Sequence, residues 1–319
     1  ACDPLYSIFF LASFLAYAKS GEQNTAKWKT VSVLFCAFSL LSKESAATFP
    51  AVIWLYEYIF GQGPRIKRAV QGLRASSVFF VVVLVYLVVR TAVMRGPVES
   101  LRSVSVATAI FTIPRVTSFY LSKLFWPVGL SAFYRPIYVE CLSVATMLVP
   151  GLVVVALSVA LWLWVRRDRD GRDIAFGALW FLLVLAPVLD VRLFPYGEAA
   201  HDRYLYLPLA GFALVAAVGL SRLTLRFGWP ASRFAIVAVL IALPLGAITL
   251  SQQVFWASDI LLYRRGVAIA PTNSTARSNL GRALADAGRY DEAEVLLSDL
   301  ARSDQGNWQA HYNLGYVYY

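Results

Sequence analysis

The chain has 319 residues, of which 59% are hydrophobic and only 15% are charged, and its mean hydropathy is +0.61. A soluble domain is about 45–50% apolar and about 25% charged, and one globule of this size cannot bury such an apolar excess. The composition therefore excludes soluble enzymes, disordered proteins and disulfide scaffolds, and it indicates a protein whose solvent is largely lipid. In a membrane protein the net charge of +10 indicates topology rather than nucleic-acid binding, because basic residues collect in cytoplasmic loops.

Long apolar runs occupy most of residues 1–252 and predict membrane-spanning helices. A helix needs about 20 apolar residues to cross about 30 Å of hydrocarbon. We predict eight spans, at 4–18, 30–42, 45–60, 75–94, 144–165, 174–190, 204–222 and 234–251. The predicted fold class is thus all-α, with a polytopic helical membrane domain over residues 1–252.

Residues 95–143 separate the fourth predicted span from the fifth. The apolar stretch 104–130 within them is interrupted by prolines and basic residues, such as Pro114 and Lys123. Because these residues disfavour a regular spanning helix, we expect an extracytoplasmic interfacial or re-entrant hairpin here.

The loops between the predicted spans differ in charge. The loops after the first, third, fifth and seventh spans are short and basic, and the positive-inside rule places them in the cytoplasm. The N-terminus, the remaining loops and everything after residue 251 are then extracytoplasmic. A composition rich in Ala, Val, Arg and Leu and poor in Lys favours a bacterial inner membrane over the endoplasmic reticulum.

Beyond residue 252 the long apolar runs stop and the sequence repeats itself. Four residues recur 34 positions later with the same residue types: Ala276, Asn279, Leu280 and Gly281 as Ala310, Asn313, Leu314 and Gly315. A 34-residue period of helix–turn–helix units is typical of the tetratricopeptide repeat. We therefore predict an incomplete, extracytoplasmic α-solenoid at 253–319, with more repeats to follow because such arrays need about three to be stable.

Two polar clusters adjoin the first three predicted spans on the extracytoplasmic side. Asp3 lies at the mouth of the first span, and Lys43 and Glu44 form a charged pair between the second and third spans with almost no loop. A charge at membrane depth costs about 2.5–3.5 kcal/mol, so we expect the pair to be functional or interfacial. The alternatives are simple helix capping for Asp3 and an ordinary hairpin turn in which Lys43 snorkels.

A third cluster opens the seventh span, with His201, Asp202, Arg203 and Tyr204 in succession. We expect Asp202 and Arg203 in the first helical turn, where the guanidinium can bind a phosphate or carboxylate and Asp202 orients it. His201 is interpreted as a hydrogen-bonding neighbour of this pair. Tyr204 can instead be an aromatic residue of the membrane interface.

Several classes of site have no sequence signal. The two histidines, His201 and His311, are far apart and have no Cys or His partner nearby, so no metal cluster is predicted. The sequence has no P-loop, no Gly-rich dinucleotide turn and no Gly-x-Ser-x-Gly elbow, which excludes ATP-driven pumps and the common hydrolases. We expect no tightly bound cofactor.

The order of the motifs resembles one family. The motifs are Asp3-Pro4-Leu5 before a Phe-rich span, Ser42-Lys43-Glu44-Ser45, Leu-Phe-Trp-Pro-Val-Gly-Leu-Ser at 124–131 followed by Tyr134, Asp-Arg-Tyr-Leu-Tyr-Leu-Pro at 202–208, and then the repeats. Over essentially its whole length the chain resembles the transmembrane and tetratricopeptide repeat-containing proteins and their bacterial relatives, within the GT-C class of polytopic glycosyltransferases.

The resemblance implies an enzyme that moves a sugar, such as mannose, from a polyprenyl or dolichyl phosphate to protein hydroxyl groups on the lumenal or periplasmic face. It implies catalytic roles for Asp3, Glu44 and Asp202, and roles in binding the lipid phosphate or substrate for Lys43, Arg203, His201, Tyr204 and Tyr134. It places the acidic residue usually assigned as the base upstream of residue 1, so we expect this chain alone to be inactive. The expected partners are the lipid-linked sugar, membrane lipid, and an acceptor protein or accessory subunit bound by the repeats.

Two other functions stay open at this point. In a non-enzymatic scaffold the helices would only anchor the repeats, and the polar clusters would not need to converge. A transporter would show charges in the middle of spans and broken helices, whereas the clusters here lie at span ends. An enzyme requires Lys43, Asp202 and Arg203 close enough for one sugar-phosphate to reach them all.

Overall fold

The computed structural model describes residues 2–23, 26–94, 104–135, 137–139, 143–194 and 199–319. These ranges are predominantly helical and contain no β-strand, so the predicted all-α class is confirmed. By packing, the chain forms two compact units. The bundle unit comprises 1–99, 152–190 and 203–228, and the repeat unit comprises 100–151, 191–202 and 229–319. The boundary predicted between residues 252 and 253, which follows the change in composition, stays a prediction.

The α-helices of the described ranges are, in chain order, α1 (Cys2–Gln23), α2 (Ala26–Ser42), α3 (Phe49–Phe60), α4 (Arg65–Met94), α5 (Val106–Phe125), α6 (Val149–Arg167), α7 (Gly171–Leu189), α8 (Pro208–Arg226), α9 (Ala231–Gln253), α10 (Asp259–Ile269), α11 (Ser274–Asp286), α12 (Tyr290–Ser303) and α13 (Trp308–Tyr318). Short 3-10 turns at Glu44–Thr48 and Asp202–Leu205 precede α3 and α8.

Helices α1 and α2 form an antiparallel hairpin held by buried serine hydroxyls. The Ser13 hydroxyl donates to the Ser32 carbonyl at 2.7 Å, and the Ser32 hydroxyl donates back to the Ser13 carbonyl at 2.8 Å. Ser39 donates to the carbonyl of Tyr6 at 2.9 Å. A hydroxyl that bonds a backbone carbonyl inside the hairpin satisfies its own polarity, so these serines are compatible with burial. The register they fix brings the start of α1 beside the end of α2.

Aromatic side chains fill the centre of the bundle unit. Phe10 on α1 packs edge-on against Phe49 of α3, with ring centroids 4.8 Å apart, and Phe14 packs against Trp180 of α7 at 5.0 Å. Such edge-to-face pairs add about 0.5–1.5 kcal/mol beyond their buried area. The Trp180 indole N–H donates to the carbonyl of Leu207 at 3.1 Å, which ties α7 to the start of α8.

The basic turns of the bundle unit share one end. Phe60, the last residue of α3, packs on Phe176 near the start of α7 with ring centroids 5.4 Å apart. Arg222, near the end of α8, donates to Asp168 between α6 and α7 at 3.0 Å. We call this the basic end. The basic end is opposite to the end at which α1 begins and α2 finishes. This agrees with the prediction that basic loops and the remaining loops alternate between the two ends of the helices.

Five helices among the described residues are long and apolar enough to cross a membrane, at Arg65–Val93, Val144–Arg167, Gly171–Leu189, Pro208–Arg226 and Ala235–Trp256. The predicted count of eight is thus supported for five segments, and for the first three it stays a prediction. Helices α1 to α3 form where spans were predicted, but they do not belong to this group. Helix α3 has 12 residues, or about 18 Å at 1.5 Å per residue, because a 3-10 turn takes up residues 44–48. In α1, inward-facing serines dilute the apolar run.

The segment predicted as a hairpin at 95–143 contains the 20-residue helix α5. Helix α5 is not among the five membrane-crossing candidates. Its buried residues include Ala109, Thr112, Val116 and Tyr120, and this spacing is that of one helix face. The described part of this segment thus contains one amphipathic helix, and the interfacial or re-entrant placement stays a prediction.

The C-terminal helices α10 to α13 have the predicted repeat pattern. Asn273 caps α11 by accepting from the amide of Ala276 at 2.9 Å, and Asn307 caps α13 by accepting from the amide of Ala310 at 3.0 Å. The two caps are 34 residues apart, so the sequence period has a direct structural counterpart.

Candidate functional site

The ion pair between Asp3 and Lys43 is the centre of the first polar site. Asp3 lies in the first turn of α1, where the helix dipole favours a carboxylate, and Lys43 directly follows α2. The hairpin register brings them together, and Lys43 Nζ donates to Asp3 Oδ1. The exposed fractions are 13% for the Asp3 side chain and 19% for that of Lys43. The structure thus joins two predicted site residues that are 40 positions apart.

Two aromatic rings also lie against Lys43. Its Nζ is 5.4 Å from the ring centroid of Tyr6 and 4.8 Å from that of Tyr204, and the guanidinium carbon of Arg203 is 5.5 Å from the same Tyr204 ring. A cation at this distance is attracted by the ring quadrupole. Tyr204 is therefore shared by two cations. We call Asp3, Tyr6, Lys43, Arg203 and Tyr204 the Lys43 cluster.

The Lys43 cluster carries one more cation than carboxylate. In the described part of the chain, Asp3 is the ion-pair partner of Lys43, and no carboxylate forms an ion pair with Arg203. A guanidinium presents a planar set of donors that matches phosphate, and an ammonium adds a compact point charge. Lys43 and Arg203, which both contact the Tyr204 ring, are therefore the groups of this cluster that can bind an anion such as a phosphate.

Glu44 points to a different partner from Lys43. Its carboxylate accepts from Arg90 Nη2 at 3.2 Å, and the exposed fractions are 58% for Glu44 and 35% for Arg90. An exposed pair of this kind contributes little stability. The Lys43–Glu44 dipeptide is thus divided between the Lys43 cluster and a surface contact with the end of α4.

Asp202 is the centre of a second polar site, which lies in the repeat unit. The Tyr134 hydroxyl donates to the Asp202 carboxylate at 2.7 Å, and the Ser131 amide donates to it at 3.2 Å. Lys123 Nζ donates to the carbonyl of Val128 at 2.7 Å and lies 5.1 Å from the ring centroid of Tyr134. We call Lys123, Ser131, Tyr134 and Asp202 the Asp202 cluster.

Burial dominates the electrostatics of the Asp202 cluster. Desolvation raises the pKa of Asp202, although its hydrogen bonds and the charge of Lys123 act in the opposite direction. Burial and the neighbouring Asp202 raise the pKa of Tyr134, so its hydroxyl stays protonated and donates. Burial lowers the pKa of Lys123. The site can therefore hold or exchange a proton on a carboxylate that is partly shielded from water.

His201 lies next to the loop that carries Tyr134. Its Nδ1 is 2.9 Å from the carbonyl oxygen of Ala132, and its backbone amide donates to the Tyr120 hydroxyl at 3.4 Å. The imidazole is buried, and its charged form would favour ionised Asp202. One ring nitrogen of His201 thus contacts a backbone carbonyl, and the predicted role of His201 as a hydrogen-bonding neighbour of Asp202 and Arg203 stays a prediction.

The predicted geometry of Asp202 and Arg203 needs two corrections. Both residues lie in the 3-10 turn at Asp202–Leu205, and α8 begins only at Pro208, because proline fits the first turn of a helix. The Asp202 carboxylate is engaged by Tyr134 and Ser131, so it does not serve to orient Arg203. A buried tyrosine hydroxyl and a loop amide, both distant in sequence, compete better for it than the side chain of the next residue.

Three residues of these two clusters, Lys123, Tyr6 and Ser131, are missing from the sequence-based candidates, and Ser131 appears there only as the last residue of the 124–131 motif. Lys123 counts there only as a charge that interrupts an apolar stretch, and Tyr6 counts only as part of a Phe-rich span. A lysine one residue before the 124–131 motif is a signal that could have identified the first. Nothing in the sequence distinguishes Tyr6 from other aromatic residues of α1.

A metal site has no support in the described ranges. No group of three or more His, Cys, Asp or Glu side chains there is arranged to hold a metal ion. The roles predicted for the individual site residues stay predictions.

Comparison with known proteins identifies a repeat family for the C-terminal residues and relatives for the chain as a whole. The tetratricopeptide repeat family profile matches residues 260–314. The chain is 26% identical to the protein O-mannosyl-transferase Tmtc3 of Drosophila melanogaster over 98% of this chain and 39% of the relative. It is 26% identical to the protein O-mannosyl-transferase F38B6.6 of Caenorhabditis elegans over 91% of this chain and 40% of the relative.

The mouse protein O-mannosyl-transferase TMTC3 is 24% identical over 98% of this chain and 37% of its own length. No solved structure gives a significant match. The chain spans about two fifths of the length of these curated relatives. The resemblance and the repeats inferred from the sequence are thus confirmed, and the chain is similar to proteins named as protein O-mannosyl-transferases.

Proposed function

We propose that the chain forms the membrane part of a glycosyltransferase that moves mannose from a polyprenyl-phosphate carrier to hydroxyl groups of proteins. The observation that carries the proposal is the Lys43 cluster, where Lys43 and Arg203 share the Tyr204 ring beside the carboxylate of Asp3. The names of the relatives supply the sugar and the acceptor class.

The position of the Lys43 cluster in the bundle supports a reaction outside the cytoplasm. The cluster lies at the end of α1 and α2 that is opposite to the basic end. The positive-inside rule assigns the basic end to the cytoplasm. The cluster would then face the lumen or periplasm, where acceptor proteins are exported.

A lipid-linked donor fits the chemistry of this cluster. Its tail stays in the bilayer, and its phosphate lies at the interface, at the depth of a helix end. When the bond between the sugar C1 and the phosphate oxygen breaks, the phosphate gains negative charge. Lys43 and Arg203 would stabilise that charge in a partly desolvated site, where such interactions are stronger than in water.

The same step needs a base for the acceptor. A bond forms between the acceptor oxygen and C1 as the bond to phosphate breaks, and the hydroxyl proton passes to a carboxylate. Within the Lys43 cluster Asp3 is the available carboxylate, and it becomes freer to accept a proton when the donor phosphate takes over Lys43. Helices α10 to α13 would bind the acceptor protein or an accessory subunit, as repeat surfaces generally do.

The test uses the full-length parent protein in membranes, supplied with radiolabelled polyprenyl-phosphate mannose and a panel of exported proteins. Arg203→Ala is expected to lower transfer about 100-fold, the effect of removing one donor to a developing anion. Arg203→Lys should recover part of it. Arg226→Ala is the matched control, because Arg226 is an exposed arginine at the basic end, and it should transfer normally.

Equal transfer by wild type and Arg203→Ala at equal expression would refute the assignment of the Lys43 cluster. Absence of transfer from any lipid-linked sugar, with the repeats still capturing a partner, would refute the enzyme and favour the membrane-anchored scaffold.

A further inference from the structure

A cavity of about 300 Å³ opens at the basic end of the bundle unit, between α1, α2 and α3. Its polar lining consists of Tyr17, Ser20, Lys29, Tyr56 and Glu57. The cavity is at the opposite end of the bundle from the Lys43 cluster, so the proposed transfer reaction does not use it.

The hydrogen bonds of Tyr17 and Ser20 leave acceptors beside Glu57 for a ligand. The Tyr17 hydroxyl donates to Glu57 Oε1 at 2.6 Å, and the Ser20 hydroxyl donates to the Tyr17 carbonyl at 2.7 Å. Both hydroxyl protons are therefore used, while the hydroxyl oxygens and the second oxygen of Glu57 keep lone pairs. A group with several N–H donors complements this set.

The aromatic lining favours a cationic donor. The rings of Tyr17 and Tyr56 lie 6.2 Å apart and nearly perpendicular, at 87°. An ammonium beside Glu57 would thus meet a carboxylate next to two aromatic rings, and a π-face that it reaches would add to the attraction. The ammonium of Lys29, on α2, lines the same cavity and attracts an anion instead.

One cavity thus offers a carboxylate and a cation at the level where the apolar helices end. Exposed apolar side chains continue from it along the same helices, such as Leu15 on α1 and Leu34 on α2, with exposed fractions of 65% and 54%. Acyl chains can cover such side chains, whereas a small soluble zwitterion cannot.

We propose that this cavity binds the headgroup of a phospholipid that carries a primary ammonium, with the ammonium on Glu57 and the phosphate on Lys29. A primary ammonium is preferred over a quaternary one because the acceptors need N–H donors.

The experiment uses the full 319-residue chain purified in detergent and native mass spectrometry with three lipids of equal chain length. Phosphatidylethanolamine should bind more tightly than phosphatidylcholine or phosphatidylglycerol, and free phosphoethanolamine more weakly than the lipid. Glu57→Gln and Lys29→Gln should each raise the apparent Kd for phosphatidylethanolamine about tenfold, the effect of about 1.4 kcal/mol. Lys27→Gln is the matched control, since Lys27 lies on the same helical turn but does not line the cavity, and its Kd should be unchanged.

Equal binding of the three lipids, or an unchanged Kd in Glu57→Gln, would overturn the proposal. Free phosphoethanolamine that binds as tightly as the lipid would overturn the lipid assignment. If Glu57→Gln does not elute as a single species, Tyr17→Phe serves instead. This variant removes the hydroxyl that orients Glu57 and keeps the ring, so it should also bind phosphatidylethanolamine more weakly than wild type. An unchanged Kd would count against the site.

Discussion

At the residue scale, Asp202 shows how a half-buried carboxylate is made compatible with its surroundings. The side chain is partly removed from water, and two donors replace the lost hydration, the Tyr134 hydroxyl and the Ser131 amide. Tyr134 also connects this site to the repeats, because its backbone carbonyl accepts from the side-chain amide of Asn273 at 3.1 Å. The residue that caps α11 is thus bonded to the residue that holds Asp202.

Removal of the Tyr134 hydroxyl should therefore destabilise the protein. In Tyr134→Phe the half-buried Asp202 carboxylate loses its shortest hydrogen bond, and the expected loss is about 1 kcal/mol of unfolding free energy. Thermal unfolding in detergent measures it. Tyr290→Phe, at a half-exposed tyrosine, should leave the midpoint unchanged, and a Tyr134→Phe midpoint equal to wild type would contradict the prediction.

Asp202 should also give the stability a defined pH dependence. Its pKa is raised in the folded state by desolvation, so the folded protein binds a proton more tightly there than the unfolded chain does. Its contribution to stability is then present at low pH and is lost as pH rises through the raised pKa.

Asp202→Asn has no such proton, and its amide oxygen can still accept from Tyr134. We expect the melting temperature of wild type minus that of Asp202→Asn to fall as the pH is raised from about 4, the ordinary value of an aspartate. Melting curves of both proteins at a series of pH values measure this difference. A difference that rises with pH would mean that hydrogen bonds and Lys123 outweigh burial.

At the element scale, glycines set how closely helices approach. A Cβ added at Gly211 of α8 would lie 2.3 Å from the carbonyl oxygen of Gly177 on α7, and one added at Gly281 of α11 would lie 2.5 Å from Leu297 on α12. Each glycine thus permits a helix contact that no other residue allows, once in the bundle unit and once in the repeats.

Gly211→Ala should destabilise the bundle unit, because the clash is with backbone and cannot be relieved by a rotamer change. The expected cost is about 1–3 kcal/mol, typical of overpacking, and thermal unfolding in detergent measures it. Gly246→Ala on α9, where nothing lies within 4 Å of an added Cβ, should melt at or slightly above wild type. Equal midpoints for both variants would argue against the close contact of α7 and α8.

Gly281→Ala should loosen the repeats in a similar way. The added methyl group meets the branched end of the fully buried Leu297, and we expect a loss of about 1–2 kcal/mol. Limited proteolysis between α11 and α12 measures this loosening, which should be greater than in Gly306→Ala, where the space is open. Identical digestion rates would contradict the packing of these helices.

At the scale of the whole molecule, the charge of the loops predicts opposite exposure of the two ends of the bundle. The native cysteines are first replaced, and single cysteines are then introduced at exposed positions. In sealed vesicles of known orientation, a membrane-impermeant maleimide should label Arg169→Cys only from the cytoplasmic side. It should label Glu44→Cys and Gln309→Cys only from the other side. Labelling of both Glu44→Cys and Arg169→Cys from the same side of the membrane would contradict the topology.

The sequence predicts much of this architecture because its signals are local. Apolar runs reflect the free energy of placing side chains in lipid, and they predict the helices of the bundle. The 34-residue period predicts the repeats, whose caps at Asn273 and Asn307 match it. The sequence is less informative for α1 to α3, because hydroxyl pairs such as Ser13–Ser32 are satisfied only by a neighbouring helix.

By itself, then, the sequence determined that this is a helical membrane protein with tetratricopeptide repeats, and it pointed to most of the polar residues that lie in the two clusters. Only the tertiary structure decided how those residues pair. Lys43 meets Asp3 and Tyr204, Asp202 is held by Tyr134, and Glu44 contacts Arg90. The reason is physical: hydropathy and periodicity depend on neighbours along the chain, whereas an ion pair or buried hydrogen bond depends on which helix ends packing brings together.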